Sequence, residues 1–230
     1  MAEPDMTRKR ELALLLCLIS VSIAAAQESP TAPPSPSASP ASTRSARISF
    51  LPPPLEGTIS LGVYDKSGQL VRVLHQEAEV DEFTVGADAL VTKWDGKNDD
   101  GEDLPAGKYH ARGYLVGHLK VEDLGKTNQP EANATGTVQV KLMPNPLTKD
   151  AKLIVDLAVG FDDENSYLKT VDGLPLFTIA QTPNVVRASL TKTGEKSIDV
   201  FQDDGADLKL FRVSNVDRMM AFDCGSFDLE

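Results

Sequence analysis

The chain has 230 residues, is 25% charged and carries a formal net charge of −11. That acidic balance argues against nucleic acid as a partner, since such binding is dominated by Lys and Arg contacts to phosphate, and against docking on an anionic membrane surface. With 41% hydrophobic residues the chain can still bury a sizeable core.

Residues 1–26 read as a secretory signal. A basic cluster, Arg8-Lys9-Arg10, precedes the apolar run from Leu12 to Ile23, which exits through Ala24-Ala25-Ala26. The run is too short to span a bilayer, which takes roughly 20 residues. Cleavage is expected between Ala26 and Gln27, and no later segment is apolar enough to cross a membrane. The signal holds as many acidic as basic residues, so the mature chain keeps the same net charge. Only Cys224 survives processing, so no internal disulfide can form and packing must hold the fold.

Residues 27–46 are Pro, Ser, Ala and Thr with almost no apolar anchor, a composition that favours an extended, semi-rigid tether over a folded element. Order begins at Arg47-Ile48-Ser49-Phe50. Residues 58–64, Thr-Ile-Ser-Leu-Gly-Val-Tyr, alternate with period two and predict a half-buried strand. Asp65-Lys66-Ser67-Gly68 turns the chain into a returning strand, Gln69 to Leu74. A second pair is expected from Val91-Thr92-Lys93-Trp94 and Lys108 to Leu115, joined through the acidic stretch Asp95 to Asp103. Short strands with turn chemistry every ten residues or so are the pattern of a β-sandwich.

These residues also carry a family resemblance. Val63-Tyr64-Asp65-Lys66-Ser67-Gly68-Gln69-Leu70, then Trp94-Asp95-Gly96 and Asp100-Gly101, closed by Pro105-Ala106-Gly107-Lys108-Tyr109, resemble the Ig-like domain of the flagellar hook-capping protein, over about residues 48–120. The resemblance implies an Ig-like sandwich of the kind that recurs as an accessory module in secreted bacterial proteins. A role in hook assembly would imply export without a signal peptide, which residues 1–26 oppose.

After a linker at 121–135, residues 136–230 show an internal repeat. Val155 to Asn184, with its Asp172-Gly173 turn, is answered by Val186 to Asn215, with Asp204-Gly205, and a third copy is expected to begin at Val216. Such hairpins can build propeller blades, but two and a fraction cannot close a ring of at least about four. A compact second β-domain is the expectation. The fold class is therefore all-β, an Ig-like sandwich at 47–120 followed by a β-repeat domain.

Candidate sites are few. The acidic loop Asp95 to Asp103 does not follow calcium-loop spacing, because Lys97 takes the third position and the glycine comes late. Asp162-Asp163-Glu164-Asn165 has no counterpart in the second repeat, where Lys192-Thr193-Gly194-Glu195-Lys196 stands. Both read as turns. His75, His110 and His118 stand at no metal-ligand spacing, so neither metal nor cofactor is expected. No nucleophile elbow or phosphate loop is present. Trp94, Tyr109 and Tyr114 could form a sugar platform, but core is the stronger reading. Asn133-Ala134-Thr135 is a glycosylation sequon with meaning only in a eukaryotic source.

The expectation is an exported, non-catalytic interaction or structural module, secreted, periplasmic or at the cell surface. Its partner would be another envelope or extracellular protein, or a second copy of itself. The alternative is a secreted carbohydrate-binding or hydrolytic protein with its site in the second β-domain; one Trp and 6% aromatics favour protein contact.

Overall fold

The alternation in residues 58–64 predicts burial on one face only; in the computed structural model, which describes residues 44–130, 132–148 and 153–230, that strand is buried on both. The cleavage point at Ala26 and Gln27, and the tether up to residue 43, lie outside the described residues. In chain order the strands are β1 (Ala46–Phe50), β2 (Gly57–Tyr64), β3 (Leu70–Ala78), β4 (Thr84–Val85), β5 (Leu90–Trp94), β6 (Gly107–Gly117) and β7 (Lys120–Thr127). There follow β8 (Val138–Lys141), β9 (Ile154–Phe161), β10 (Asn165–Thr170), β11 (Pro175–Gln181), β12 (Arg187–Lys192), β13 (Ser197–Asp203), β14 (Leu208–Ser214) and β15 (Met219–Leu229). The fold is all-β. Its strands lie in antiparallel sheets of order β1-β5-β4, β15-β6-β2-β3, β11-β10-β9-β8 and β12-β13-β14-β7.

The first two sheets enclose an aromatic core. Ile48 and Phe50 of β1, Trp94 of β5, Ile59, Leu61 and Val63 of β2, and Phe222 and Leu229 of β15 meet there. Phe222 stacks on Phe50 with ring centroids 4.7 Å apart. The expected hairpin between Val91–Trp94 and Lys108–Leu115 does not form. β5 pairs with β1 and β4, whereas β6 pairs with β2 and β15, so the acidic connection crosses from one layer of the sandwich to the other. Trp94 and Tyr109 face each other across the core at 4.9 Å instead of lying side by side in one sheet.

The other two sheets, each holding one copy of the repeat, enclose a second core of mostly aliphatic residues, among them Leu157, Leu168, Leu174, Leu176, Leu190 and Val200. The copies oppose each other as layers; they do not sit side by side as blades. Tyr114 and Val116 of β6 and Met219 of β15 also belong to this core. The sheet β15-β6-β2-β3 thus serves two cores, which explains the double burial of β2: its odd residues face the aromatic core, while Gly62 lies under Leu174.

A single long ribbon makes this sharing possible. β6 and β15 pair with Val116 opposite Met219, and β7 and β14 pair with Lys120 opposite Ser214, so the two ladders run on nearly in register through a bend. The Gly117 N–H donates to the Arg218 carbonyl at 2.8 Å within the bend, where Val216 is fully buried. Two features therefore differ from the sequence reading. Strand β7 occupies the start of the expected linker at 121–135, and the expected third repeat copy at Val216 becomes β15, an edge strand of the first half. The bulge at Cys224, where Gly225 adopts φ 81°, is the local cause: it shifts the inward phase so that Phe222 and Leu229 both reach the aromatic core.

Candidate functional site

Exposed strand edges invite pairing with other chains, so what covers each edge bears directly on how this protein meets a partner. The acidic loop is one such cover. Asp99 accepts the Val73 N–H of β3 at 3.0 Å, and Arg72 donates to the Asn98 carbonyl at 2.7 Å. The loop supplies its own cation: Lys97 Nζ contacts the Gly101 carbonyl at 3.2 Å and Asp103 at 3.0 Å. Among the described residues no group of three or more His, Cys, Asp or Glu side chains could hold a metal ion.

Several other edges are closed in similar ways. Glu77, held at φ 48° in β3, accepts the Thr178 N–H of β11 at 2.9 Å. Met143 N–H and Asn145 Nδ2 donate to the Met219 and Ala221 carbonyls of β15, each at 3.0 Å. Thr135 exchanges two backbone hydrogen bonds with Leu190 of β12, both 2.7 Å. Lys192 Nζ reaches the Gln139 carbonyl of β8 at 3.1 Å.

The remaining sequence candidates are dispersed. His75 is half-buried against Phe83, with Nε2 at 2.8 Å from Thr92 Oγ1, and loss of solvent lowers its pKa. His110 lies 3.0 Å from Asp223, while His118 lines a separate cleft near Glu56 and Phe177. Trp94, Tyr109 and Tyr114 are core residues: Trp94 is 0% exposed and its Nε1 donates to the Lys97 carbonyl at 2.8 Å, so no aromatic platform exists at these positions. Tyr64 lies under the Arg112 guanidinium at 4.0 Å, and burial pushes its phenol up to about 12. Arg112 also binds Asp172 at 2.6 Å, which ties the shared sheet to the β10–β11 turn. Burial raises the Cys224 thiol to about 12, so it stays protonated and is no nucleophile at neutral pH. Asp162 accepts the N–H groups of Glu164 and Asn165, at 2.9 and 2.7 Å, as a turn residue does. Asn133 is exposed.

A polarity along the ribbon was not readable from sequence. At one end, where Gly107 pairs with Leu229, Arg44 donates to the carbonyls of Glu230 and Leu104, at 2.5 and 2.9 Å. At the other, where Thr127 pairs with Leu208, a groove of about 400 Å³ opens. Some 20 residues of strand separate the two, roughly 60 Å along the chain before the bend is allowed for. The groove is lined by Lys126, Arg187, Phe201, Asp203, Asp207 and Leu208. Two ion pairs, Lys126–Asp207 and Arg187–Asp203, each 2.7 Å, stand on it. The Gly205 N–H and then Arg187 hold the Asp203 carboxyl below its usual range, and Asp207 raises Lys126. Phe201 is 2% exposed, too enclosed to stack on a ligand. Chemically, the groove offers fixed charges of both signs and backbone polar groups, suited to a polar peptide surface. No family model matches this chain, and no curated protein or solved structure is significantly similar to it.

Proposed function

We propose that the chain is an exported, non-catalytic interaction module acting outside the cytoplasm, secreted, periplasmic or at the cell surface. Its first half is of the Ig-like, hook-capping type, and its partner is another envelope or extracellular protein. The observation that carries this reading is the polarity of the ribbon: Arg44, near the end of the Pro-rich stretch at 27–46, lies at one end, and the charged groove lies at the other. The described fold therefore begins at the end of the ribbon remote from the groove. The burial of Trp94, Tyr109 and Tyr114 favours protein over polysaccharide as the partner, since sugar sites rely on exposed aromatic faces.

The test immobilises the secreted chain beside its Arg187→Glu variant and passes envelope and medium extract from the source organism over both. A defined protein retained by the native chain and lost from the variant is expected. Recovery of polysaccharide without protein would overturn the reading in favour of the carbohydrate alternative. Equal retention by both chains would remove the groove from the account.

A further inference from the structure

Near the Arg44 end of the ribbon, three polar side chains meet that neither the groove nor the edge covers use. Tyr109 and Ala111 of β6 face the aromatic core, so His110 between them points to the other face of the shared sheet. It stands directly across from Ser226 of β15. His110 Nδ1 lies 3.2 Å from Ser226 Oγ, and Nε2 lies 3.0 Å from Asp223 Oδ2. The bulge at Cys224 makes this meeting possible. In a regular strand Asp223 and Ser226 would point to opposite faces; the extra residue turns them to the same one. The Gly225 N–H then fixes the carboxylate through Oδ1, at 2.6 Å.

A carboxylate only accepts, so the neutral imidazole carries its proton on Nε2, toward Asp223. Nδ1 is left as the acceptor, and the Ser226 hydroxyl donates to it. The order is nucleophile, base and orienting carboxylate, as in serine acyl-transfer sites, with the two ring nitrogens exchanged. Ser226 is exposed, and the side chains of His110 and Asp223 are 33% and 57% exposed. The backbone adds a donor. Beyond the bulge the Glu230 carbonyl points away from β6 to meet Arg44, and alternation turns the Ser226 N–H outward in the same way. That N–H has no partner among the described residues and sits beside the hydroxyl, where an oxyanion would form.

We infer that Ser226 is a nucleophile that takes an acyl group from a carboxylic ester. Its Oγ attacks the ester carbonyl carbon while its proton passes to His110 Nδ1, and the carbonyl electron pair moves onto the oxygen beside the Ser226 N–H. As that pair returns, the bond to the alcohol breaks, and the alcohol leaves with the proton from Nδ1. An acyl ester of Ser226 remains. With all three side chains this open to water, slow acylation is expected and not rapid turnover. The inference therefore adds a covalent step to the interaction reading, at the opposite end of the ribbon from the groove.

The test incubates the purified full chain with p-nitrophenyl acetate and follows acetylation by peptide mass mapping, with melting curves confirming that each variant is folded. Ser67, whose hydroxyl donates to Asp65 at 2.6 Å with no histidine beside it, is the internal control. The expected result is an acetyl group on Ser226 well ahead of Ser67, and a rate roughly a hundredfold lower in His110→Gln. Asp223→Asn lets the side chain donate to Nε2 and so favours the wrong tautomer; it should slow acetylation at an unchanged melting midpoint. Acetylation of Ser226 no faster than of Ser67, or indifferent to His110→Gln, overturns the inference. Either failure leaves the proposed interaction standing, because Arg187→Glu tests the other end of the ribbon. A chain that acetylates at Ser226 but retains no protein removes the interaction reading alone.

Discussion

The two cores that share the sheet β15-β6-β2-β3 are built differently. The first is aromatic, and its polar ring atoms are satisfied at the rim by loop carbonyls, Trp94 by Lys97 and Tyr109 by Pro105. The second is aliphatic and holds a polar cluster inside: Gln202 Nε2 donates to Ser166 at 2.7 Å, Thr182 lies 3.1 Å from the same oxygen, and Gln202 Oε1 finds no partner among the described residues. Large rings keyed to loops make the first core dependent on a few residues. Many smaller side chains spread the load in the second, which can therefore tolerate an imperfectly satisfied amide.

This contrast ranks the expected effects of substitution. Trp94→Ala should be the largest, about 3–5 kcal/mol in denaturant unfolding, since it removes a fully buried ring from the smaller set of anchors. Leu174→Ala in the second core should cost about 2–4 kcal/mol, at the lower end if neighbouring aliphatic side chains close on the gap. Asp199→Asn breaks a bidentate pair with Arg212, 2.8 and 2.9 Å; because the guanidinium is partly exposed, about 1–2 kcal/mol is expected. Gly125→Ala meets no steric contact but places a side chain at φ 82°, so about 1 kcal/mol is expected by thermal unfolding.

The smallest effect is a pH dependence. Burial holds the His75 pKa in the folded chain below the ordinary imidazole value of 6.5, so its neutral form is the one the fold prefers. Its contribution is fully present above 6.5 and is lost as pH falls through the folded value. His75→Gln should flatten the decline of melting temperature in that acidic window and leave stability near pH 8 little changed; an unaltered slope would assign the decline to other groups.

The legibility of the sequence follows the same physics. Local signals came through: the Asp65–Gly68 turn joins β2 to β3, and the Asp172-Gly173 and Asp204-Gly205 turns join repeat strands. Strand β7 was hidden because Lys-Val-Glu-Asp-Leu-Gly-Lys-Thr is an edge with little apolar periodicity, Val121 being its main inward contact. Strand β15 was misplaced because its bulge breaks the alternation, and nothing local names β6 as its neighbour. The edge covers leave no pattern either, since Asp99 acts on a residue 26 positions away and Glu77 on one 101 away. The groove is assembled from the end of β7 and the ends of β12, β13 and β14, so charge alone could not collect it.

The central claim is that the two halves fold as one body through the shared sheet and its ribbon. Trp94, the one tryptophan, reports the first core alone, and Leu174 belongs to the second. The most direct test follows Trp94 fluorescence and far-ultraviolet circular dichroism together during urea unfolding of the native chain and of Leu174→Ala. The account predicts coincident transitions in each protein and an equal shift of both midpoints in the variant. A Trp94 transition that stays at its native midpoint while the dichroism moves would show two independently folding domains and contradict it.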